Sequence, residues 1–145
     1  MDLEIREPRS EEEFEQYHDL RWRILREPWD QPRHSEEDQH EGEAIHLAAW
    51  SGGRLAGVGR VHFNSPSEAQ IRYMAVEMDL RGQGVGGAIL AELESRARER
   101  GAAYIVLNAR DTAVGFYEKH GYCITKEAQI LFESIPHWEL RKGLR

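Results

Sequence analysis

Arg81-Gly82-Gln83-Gly84-Val85-Gly86-Gly87 is the stretch that decides the fold, because it joins an apolar run before it to an amphipathic run after it. Glycines let the backbone approach a ligand closely and adopt positive φ, and the free N–H groups at a helix start bind anions. The stretch therefore predicts a strand, an anion-binding loop and a helix, in that order.

Residues 82–87 also satisfy the dinucleotide-binding pattern G-x-G-x-x-G. In that pattern an acidic residue about 20 positions further on binds a ribose, whereas the strand that follows here ends in Asn108. A nucleotide-binding fold also requires alternating strands and helices, and here a hairpin precedes the loop. The dinucleotide interpretation is therefore disfavoured, while a glycine-rich connection without any ligand stays open on the loop alone.

The hydrophobic pattern around this loop predicts one α/β domain of the α+β type, spanning residues 1–145. Gly52-Gly53 separates two apolar runs as a two-residue hairpin does. Helices are expected from Ser10 to about Arg26, from 85 to 100 and from about 111 to 119, and strands over 3–6, 44–51, 54–63, 69–76, 102–108, 122–128 and 137–142. The result is a mixed, mostly antiparallel sheet of six or seven strands, flanked by helices.

Composition limits the class of protein. No apolar run approaches the roughly 20 residues that cross a bilayer, and the N-terminus lacks signal-peptide features. The single cysteine, Cys123, fits a reducing, cytoplasmic compartment and is expected to be buried in a strand. A net charge of −7 argues against nucleic acid or a membrane as partner and accommodates a cationic acceptor more easily.

Three segments together resemble the GNAT superfamily of N-acetyltransferases. That family's signature is Arg or Gln, two residues, Gly, one residue, then Gly or Ala, and residues 81–86 match it in full. Residues 71–76 look like its central fourth strand. Asn108-Ala109-Arg110 and residues 114–122 resemble its other diagnostic segment. The resemblance covers nearly the whole chain.

The resemblance implies that acetyl-coenzyme A is the co-substrate. Backbone N–H groups of the loop would bind its pyrophosphate, and Met74 and Val76 would pair with its pantetheine arm where the fourth and fifth strands splay apart. The implied cofactor-binding residues are Met74, Ala75, Val76, Arg81, Gly82, Gln83, Gly84, Val85, Gly86, Gly87, Asn108 and Tyr117.

Tyr117 matches the tyrosine that protonates the departing thiolate in many relatives, which implies that it is the catalytic acid. Acetyl transfer to an amine needs a proton removed, an oxyanion stabilised and the sulfur protonated, and a phenol within reach suits the last task. The alternative is that Tyr117 only packs with Ala113 and Phe116 on one helical face.

The general base is not evident. Better-understood relatives place a glutamate or histidines at positions that fall on Gln70 and Arg72 here, and neither of these is a plausible base. Glu68, Tyr73, Glu133 and His137 are the candidates that the neighbouring segments offer.

The acceptor side is predicted to include Arg72, Trp29 and His137, with Trp22 as a further candidate. Arg72 is expected to share a strand face with Met74 and to bind either an anionic part of the acceptor or a nearby acid. The acidic residues 36–43 form either a solvated surface or an attractor for a cationic amine. No histidine pair has convincing metal-ligand spacing with a third partner, so no metal is expected.

The sequence therefore predicts a cytoplasmic N-acetyltransferase that acts on a primary amine, with a small molecule favoured over a peptide or protein. Neither nucleic acid nor a membrane is an expected partner, and a homodimer is possible from the resemblance. The alternative is a catalytically idle acyl-coenzyme A sensor or interaction module on the same fold.

Overall fold

Seven strands and three helices make up the chain in this computed structural model, which describes residues 2–132 and 135–145. In chain order they are β1 (Glu4–Arg6), α1 (Glu11–Leu25), β2 (Ile45–Ser51), β3 (Arg54–Phe63), β4 (Glu68–Val76), α2 (Val85–Glu99), β5 (Tyr104–Arg110), α3 (Asp111–Lys119), β6 (Cys123–Leu131) and β7 (Ile135–Gly143). Short 3-10 turns cover Glu27–Trp29 and Met78–Leu80. The predicted elements are all present, with ends that differ by a few residues.

The strands form one sheet in the order β1-β2-β3-β4-β5-β7-β6. Every neighbouring pair is antiparallel except β4 and β5. Parallel pairing of those two strands runs from Glu68 opposite Tyr104 to Ile71 opposite Leu107 and extends no further among the described residues. The predicted mixed sheet, and its splay between the fourth and fifth strands, are confirmed.

Local sequence signals explain two of the boundaries. The Ser10 hydroxyl accepts a hydrogen bond from the Glu13 N–H at 3.1 Å, which caps the start of α1. Gly52 and Gly53 have φ of 57° and 83°, which turn β2 into β3 within two residues.

Helices α1 and α2 cover opposite faces of the sheet. On the α2 face, Ile89, Leu90, Leu93 and Ala97 are buried as predicted. Glycine in β3 lets α2 approach closely, because a Cβ at position 59 would lie 2.8 Å from Ile89 Cγ2 and 2.6 Å from Met74 Sδ. Helix α2 is therefore held tightly against the central strands, which positions its N-terminal end beside β4.

Each of the two long helices has 15 residues. Within the described part of the chain, no helix is both long enough and apolar enough to cross a membrane.

The expectation that Cys123 is buried is wrong, because its thiol is exposed. Cys123 begins β6, which pairs only with β7 at the edge of the sheet. Almost all of β6 is exposed, because it is an edge strand. The apolar neighbours Tyr122 and Ile124 had suggested burial, but only Tyr122 is buried, whereas Ile124 is 43% exposed.

Candidate functional site

Two cavities meet at the splay between β4 and β5. The larger, of about 630 Å³, runs along the glycine-rich loop and is called the loop groove below. The smaller, of about 270 Å³, lies beyond the ends of α1 and β5 and is called the acceptor cavity. Four residues line both: Met74, Arg110, Ala113 and Tyr117. A molecule in one cavity can therefore reach a molecule in the other at this junction.

The loop groove ends at the N-terminus of α2. Gly82 and Gly84 have φ of 79° and 87°, and no described atom lies within 4 Å of a Cβ built on either. No side chain among the described residues caps the helix at Gly84. The first N–H groups of α2 are consequently available to an anion, with the positive end of the helix dipole behind them.

Most of the predicted cofactor-binding residues line this groove: Met74, Ala75, Val76, Arg81, Gly82, Gly84, Val85, Gly86, Gly87 and Tyr117. Gln83 is exposed in the same loop but does not line the groove. Along β4, the edge facing β5 has no partner strand beyond Ile71 in the described chain. Its backbone groups are free to pair with an extended ligand.

Asn108, predicted to contact the cofactor, lines the acceptor cavity and not the loop groove. It follows Leu107, the last β5 residue that pairs with β4. Leu107 and Ala109 are buried in the core on one face of β5, so Asn108 faces the other way. The splay opens beside it, which leaves its amide exposed at the acceptor side.

Tyr117 is 8% exposed, and its ring lies edge-on to Phe116 and Tyr122 at centroid distances of 5.0 and 5.7 Å. Burial raises the pKa of its hydroxyl, so the group stays protonated at neutral pH. No described residue forms a hydrogen bond with this hydroxyl. The ring therefore packs against its neighbours, as the packing alternative predicted. The hydroxyl also keeps a proton that it can donate at the junction of the two cavities.

A β-bulge reverses the faces of β4 just before the junction. The register with β3 shifts between Val58 and Arg60, and Tyr73 has φ of 60°. Ile71 packs in the core beside α2, whereas the Tyr73 ring lies under the α1 guanidinium of Arg21, 4.0 Å from Cζ to the ring centroid. The alternation expected of a regular strand is therefore interrupted.

The bulge makes one prediction wrong. Arg72 and Met74 do not share a face, because the bulge lies between them. Met74 packs against the core beside α2, while Arg72 donates a hydrogen bond to Asp38 at 2.8 Å. Both still line the acceptor cavity.

The acidic segment is solvated in part, with Glu37 and Glu43 exposed, and in part it binds buried arginines. Asp38 accepts two hydrogen bonds from Arg60, at 2.6 and 2.9 Å, and Glu41 accepts one at 2.8 Å. Glu41 also lies 2.6 Å from Arg21, and both arginines are fully buried. Burial opposes ionisation of Asp38, but the bonds from Arg60 outweigh it and lower the pKa of this carboxyl. The segment neutralises buried arginines.

His137 and Trp29 line the acceptor cavity as predicted, and Trp29 stacks on Phe132 with centroids 6.1 Å apart. His137 Nδ1 lies 3.0 Å from the Ile135 carbonyl. A carbonyl can only accept, so Nδ1 carries the hydrogen and Nε2 keeps its lone pair. Burial lowers the pKa of His137, which keeps the ring neutral at neutral pH.

The other candidate bases are less suitable. Glu68 accepts hydrogen bonds from Tyr104 and Asn64, both at 2.7 Å, and lines neither cavity. Tyr73 lies beneath arginines. Glu133 is outside the described residues.

Comparison with known proteins shows the family to which this chain belongs. A model of the acetyltransferase (GNAT) family matches residues 14–122. The chain belongs to the GNAT family. It is therefore an acyltransferase, as the sequence indicated.

Relatives of this GNAT protein agree with that assignment. The uncharacterized N-acetyltransferase YjcF of Bacillus subtilis (strain 168) is 31% identical over 134 residues, which cover 92% of this chain and 95% of YjcF. An aminoglycoside 6′-N-acetyltransferase solved with coenzyme A has the same fold, with a TM-score of 0.81 at 18% identity over 100% of this chain and 98% of that one. An acyl-CoA N-acyltransferase of Pseudomonas aeruginosa has a TM-score of 0.79 at 21% identity, covering 97% and 98%.

Sequence reasoning missed two arginines of the GNAT site. Arg26 lines the acceptor cavity and Arg110 lines both cavities. Arg110 stood within the quoted segment Asn108-Ala109-Arg110, so its position was visible although its role was not considered. Trp22, by contrast, lines neither cavity and donates its indole N–H to the Gln31 carbonyl at 3.0 Å.

A possible metal-ligand group, not evident from sequence spacing, lies outside this site. His18, Glu36 and Glu37 bring three potential ligand atoms within 4.8 Å of one another. None of them lines the loop groove or the acceptor cavity. The group gives no reason to assign a metal to acetyl transfer.

Proposed function

We propose that this GNAT protein moves an acetyl group from acetyl-coenzyme A to a primary amine that binds in the acceptor cavity. One observation carries the proposal: Tyr117, whose hydroxyl has no described hydrogen-bond partner, lines both cavities where they meet. A protonated phenol at that point suits a leaving group that departs as a thiolate.

The residues of the loop groove suit coenzyme A. Uncapped N–H groups at the start of α2 would bind the pyrophosphate, and the unpaired edge of β4 at Met74 and Val76 would bond with pantetheine amides. The groove volume of about 630 Å³ accommodates an extended ligand. Acetyl-coenzyme A, when bound, supplies the acetyl group as an activated thioester.

Proton transfer can be assigned to two side chains. His137 Nε2 would accept the proton that the acceptor ammonium must lose before its nitrogen lone pair attacks the acetyl carbonyl. Tyr117 would donate its proton to the sulfur as the carbon–sulfur bond breaks. As the carbon–sulfur bond breaks, the nitrogen loses its second proton, which passes through water to the Tyr117 phenolate, and His137 releases its proton to solvent. One ammonium and one thioester thus give one amide, one thiol and one H⁺, and both side chains return to their starting states.

A thiol-release assay with acetyl-coenzyme A and a broad panel of amines tests the proposal. Turnover with at least one amine, reduced strongly by Tyr117→Phe, is the expected result. Tight acetyl-coenzyme A binding with no turnover, and unchanged binding in Tyr117→Phe, would favour an idle acyl-coenzyme A sensor instead. In a thermal-shift comparison, acetyl-coenzyme A should raise Tm while NAD and ATP should not; stabilisation by NAD alone contradicts the proposal.

A small acceptor is favoured, because the acceptor cavity holds only about 270 Å³. Pairing of protomers stays a prediction from the resemblance. Light scattering of the purified protein across a concentration series measures it directly.

A further inference from the structure

Among the described residues, the acceptor cavity is lined by positively charged side chains and by no acidic one, in a chain whose net charge is −7. Arg26, Arg72 and Arg110 line it, and no Asp or Glu among the described residues does. A partly buried cation without an opposite charge is costly. This charge distribution is opposite to the one that a cationic acceptor would require.

Arg110 has no carboxylate bonded to it among the described residues. It forms no hydrogen bond or ion pair with the described residues, and its Cζ lies 5.1 Å from the centroid of the Trp29 ring. Burial, and then the charge of Arg81, lower the pKa of its guanidinium. Its five N–H donors are therefore available to a ligand.

Arg26 is bonded only to neutral groups. Its Nε donates to the Ser35 carbonyl at 2.9 Å and its Nη1 to the Leu25 carbonyl at 3.1 Å. These two bonds fix the guanidinium in the cavity wall, where Tyr73 is a further uncharged neighbour. Burial lowers the pKa of Arg26 as well.

Arg72 shares its only described carboxylate. Its Nη1 bonds to Asp38 Oδ2 at 2.8 Å, and the same carboxylate accepts both bonds from Arg60. In this cluster two carboxylates, those of Asp38 and Glu41, face the three guanidinium groups of Arg21, Arg60 and Arg72. The 41% exposed side chain of Arg72 retains donors for a second anion.

We propose that the acceptor amine carries a carboxylate, which Arg26, Arg72 and Arg110 bind in the acceptor cavity. This inference rests on the proposed N-acetyltransferase function. The planar fork of a guanidinium matches a carboxylate through two parallel hydrogen bonds. Bound this way, the acceptor neutralises the cavity and is oriented in a fixed direction.

The volume of the acceptor cavity narrows the chemical class of the acceptor further. A volume of about 270 Å³ lies below the 300–1,000 Å³ typical of drug-sized ligands. The amides of Gln70 and Asn108 supply uncharged polar contacts on the same wall. The acceptor class is therefore a free amino acid or a molecule of that size, and not a polyamine or a folded protein.

A matched acceptor panel tests this. Each of the twenty common amino acids is assayed beside its C-terminal amide, which removes the negative charge and keeps the size, with putrescine and O-phosphoethanolamine in the same thiol-release assay. At least one amino acid should have a kcat/KM ten or more times that of its amide. Equal or better turnover of the amides or of putrescine overturns the proposal, and so does a preference for O-phosphoethanolamine over every amino acid.

Arg26→Gln tests the acceptor cavity separately from the loop groove, because Arg26 lines only the acceptor cavity. The variant should raise the KM for the amino acid at least tenfold and leave the KM for acetyl-coenzyme A unchanged. Arg33→Gln is the matched control: this arginine pairs with Asp19 at 2.7 Å, lines neither cavity and should change neither constant. An unchanged amino-acid KM in Arg26→Gln counts against the subsite.

A binding measurement keeps this test separate from the proposed function. With coenzyme A present, N-acetylated amino acids should raise the Tm of the wild type more than their amides do, and should fail to do so in Arg26→Gln. If no amine is turned over but this pattern holds, acetyl transfer is wrong and the carboxylate subsite stands. If turnover occurs but the acids and amides shift Tm equally, the subsite is wrong and acetyl transfer stands.

Discussion

Asp38 Oδ2 lies 2.8 Å from Arg72 Nη1, across 34 residues of chain. The same carboxylate holds Arg60, which is fully buried in β3. A single side chain from an acidic, irregular segment thereby joins that segment to β3 and to the strand that forms the acceptor wall. This pairing makes the segment part of the folded core and of the site.

Asp38→Asn should lower the free energy of unfolding by roughly 3 kcal/mol, because it removes one partner of a buried ion pair. Urea denaturation at pH 7 measures this loss. Asp79→Asn is the matched control: Asp79 makes two similar bonds to Arg54, at 2.8 and 2.9 Å, but both side chains are more than half exposed. The control should change stability far less, because an exposed ion pair is screened by solvent; equal losses in the two variants would contradict the role given to Asp38.

Tyr117→Phe should lower kcat roughly 100-fold at neutral pH and leave the affinity for acetyl-coenzyme A unchanged, because it removes only the proton donor. Steady-state kinetics and calorimetry separate these effects. Tyr122→Phe is the control. Its hydroxyl donates to Glu94 at 2.8 Å in the core, so its loss should cost about 1–2 kcal/mol of stability with little change in kcat. A normal kcat in Tyr117→Phe, under conditions limited by chemistry, removes the acid assignment.

Gly84→Ala should weaken acetyl-coenzyme A binding at least tenfold. Its φ of 87° costs an alanine roughly 1–2 kcal/mol, and relief of that strain would move the N–H groups at the start of α2. Isothermal titration calorimetry measures the affinity. Gly115→Ala in α3 has open space and ordinary helical φ, so it should bind normally and gain up to about 1 kcal/mol of stability. Normal binding by Gly84→Ala would show that the loop does not hold the phosphates.

Much of the fold and of the loop groove could be predicted because the signals are local. The glycine pair of the β2–β3 hairpin, Ser10 at the helix cap and the loop from Arg81 each act within a few residues of chain. The family resemblance then supplied the order of the strands and the splay. The role predicted for Tyr117 also came from the family resemblance.

The acceptor side could not be predicted in the same way, because it depends on long-range packing. Arg21 and Arg60 are neutralised by an acidic segment that contacts them only after folding. The bulge at Tyr73 reverses the faces of β4, which contains no glycine, and Gly59 opposite it in β3 is only an indirect signal. Arg110 is left without a bonded carboxylate among the described residues by the same splay that moves Asn108 to the acceptor cavity. None of these relationships has a periodicity that can be seen in the sequence.

The pH dependence of kcat/KM should report His137. Burial lowers its pKa below the ordinary value of 6.5, so the ring is neutral and able to accept a proton at pH 7. The rate should fall as pH drops through that lowered pKa, which lies on the acid side of 6.5. His137→Gln should reduce kcat/KM about 100-fold at pH 7 and abolish the acid limb. If kcat/KM of this variant still falls at low pH, the acid limb belongs to a group other than His137.

His62 should make the protein less stable in acid. Burial, followed by the charge of Arg60, lowers the pKa of His62 from 6.5 to about 4. Arg60 Nη2 lies 3.0 Å from Nδ1 and can only donate, so Nδ1 must be the acceptor, and Nε2–H donates to Asn64 at 3.0 Å. Protonating Nδ1 would break the bond from Arg60 and set two cations together. The neutral ring is therefore favoured by folding.

The direction of the change in stability with pH follows from the difference in proton binding between the unfolded and the folded protein. Between pH 6.5 and about 4 the unfolded chain binds a proton at His62 that the folded protein excludes, so the free energy of unfolding decreases as pH falls through this window. The full difference is up to roughly 3 kcal/mol. Urea denaturation from pH 7.5 to 4 measures it, with His62→Gln as the comparison. His18, His46 and His137 also have lowered pKa values and share this slope, so only the part that His62→Gln removes belongs to His62. Identical slopes in the variant and the wild type would show that His62 is not held neutral by Arg60.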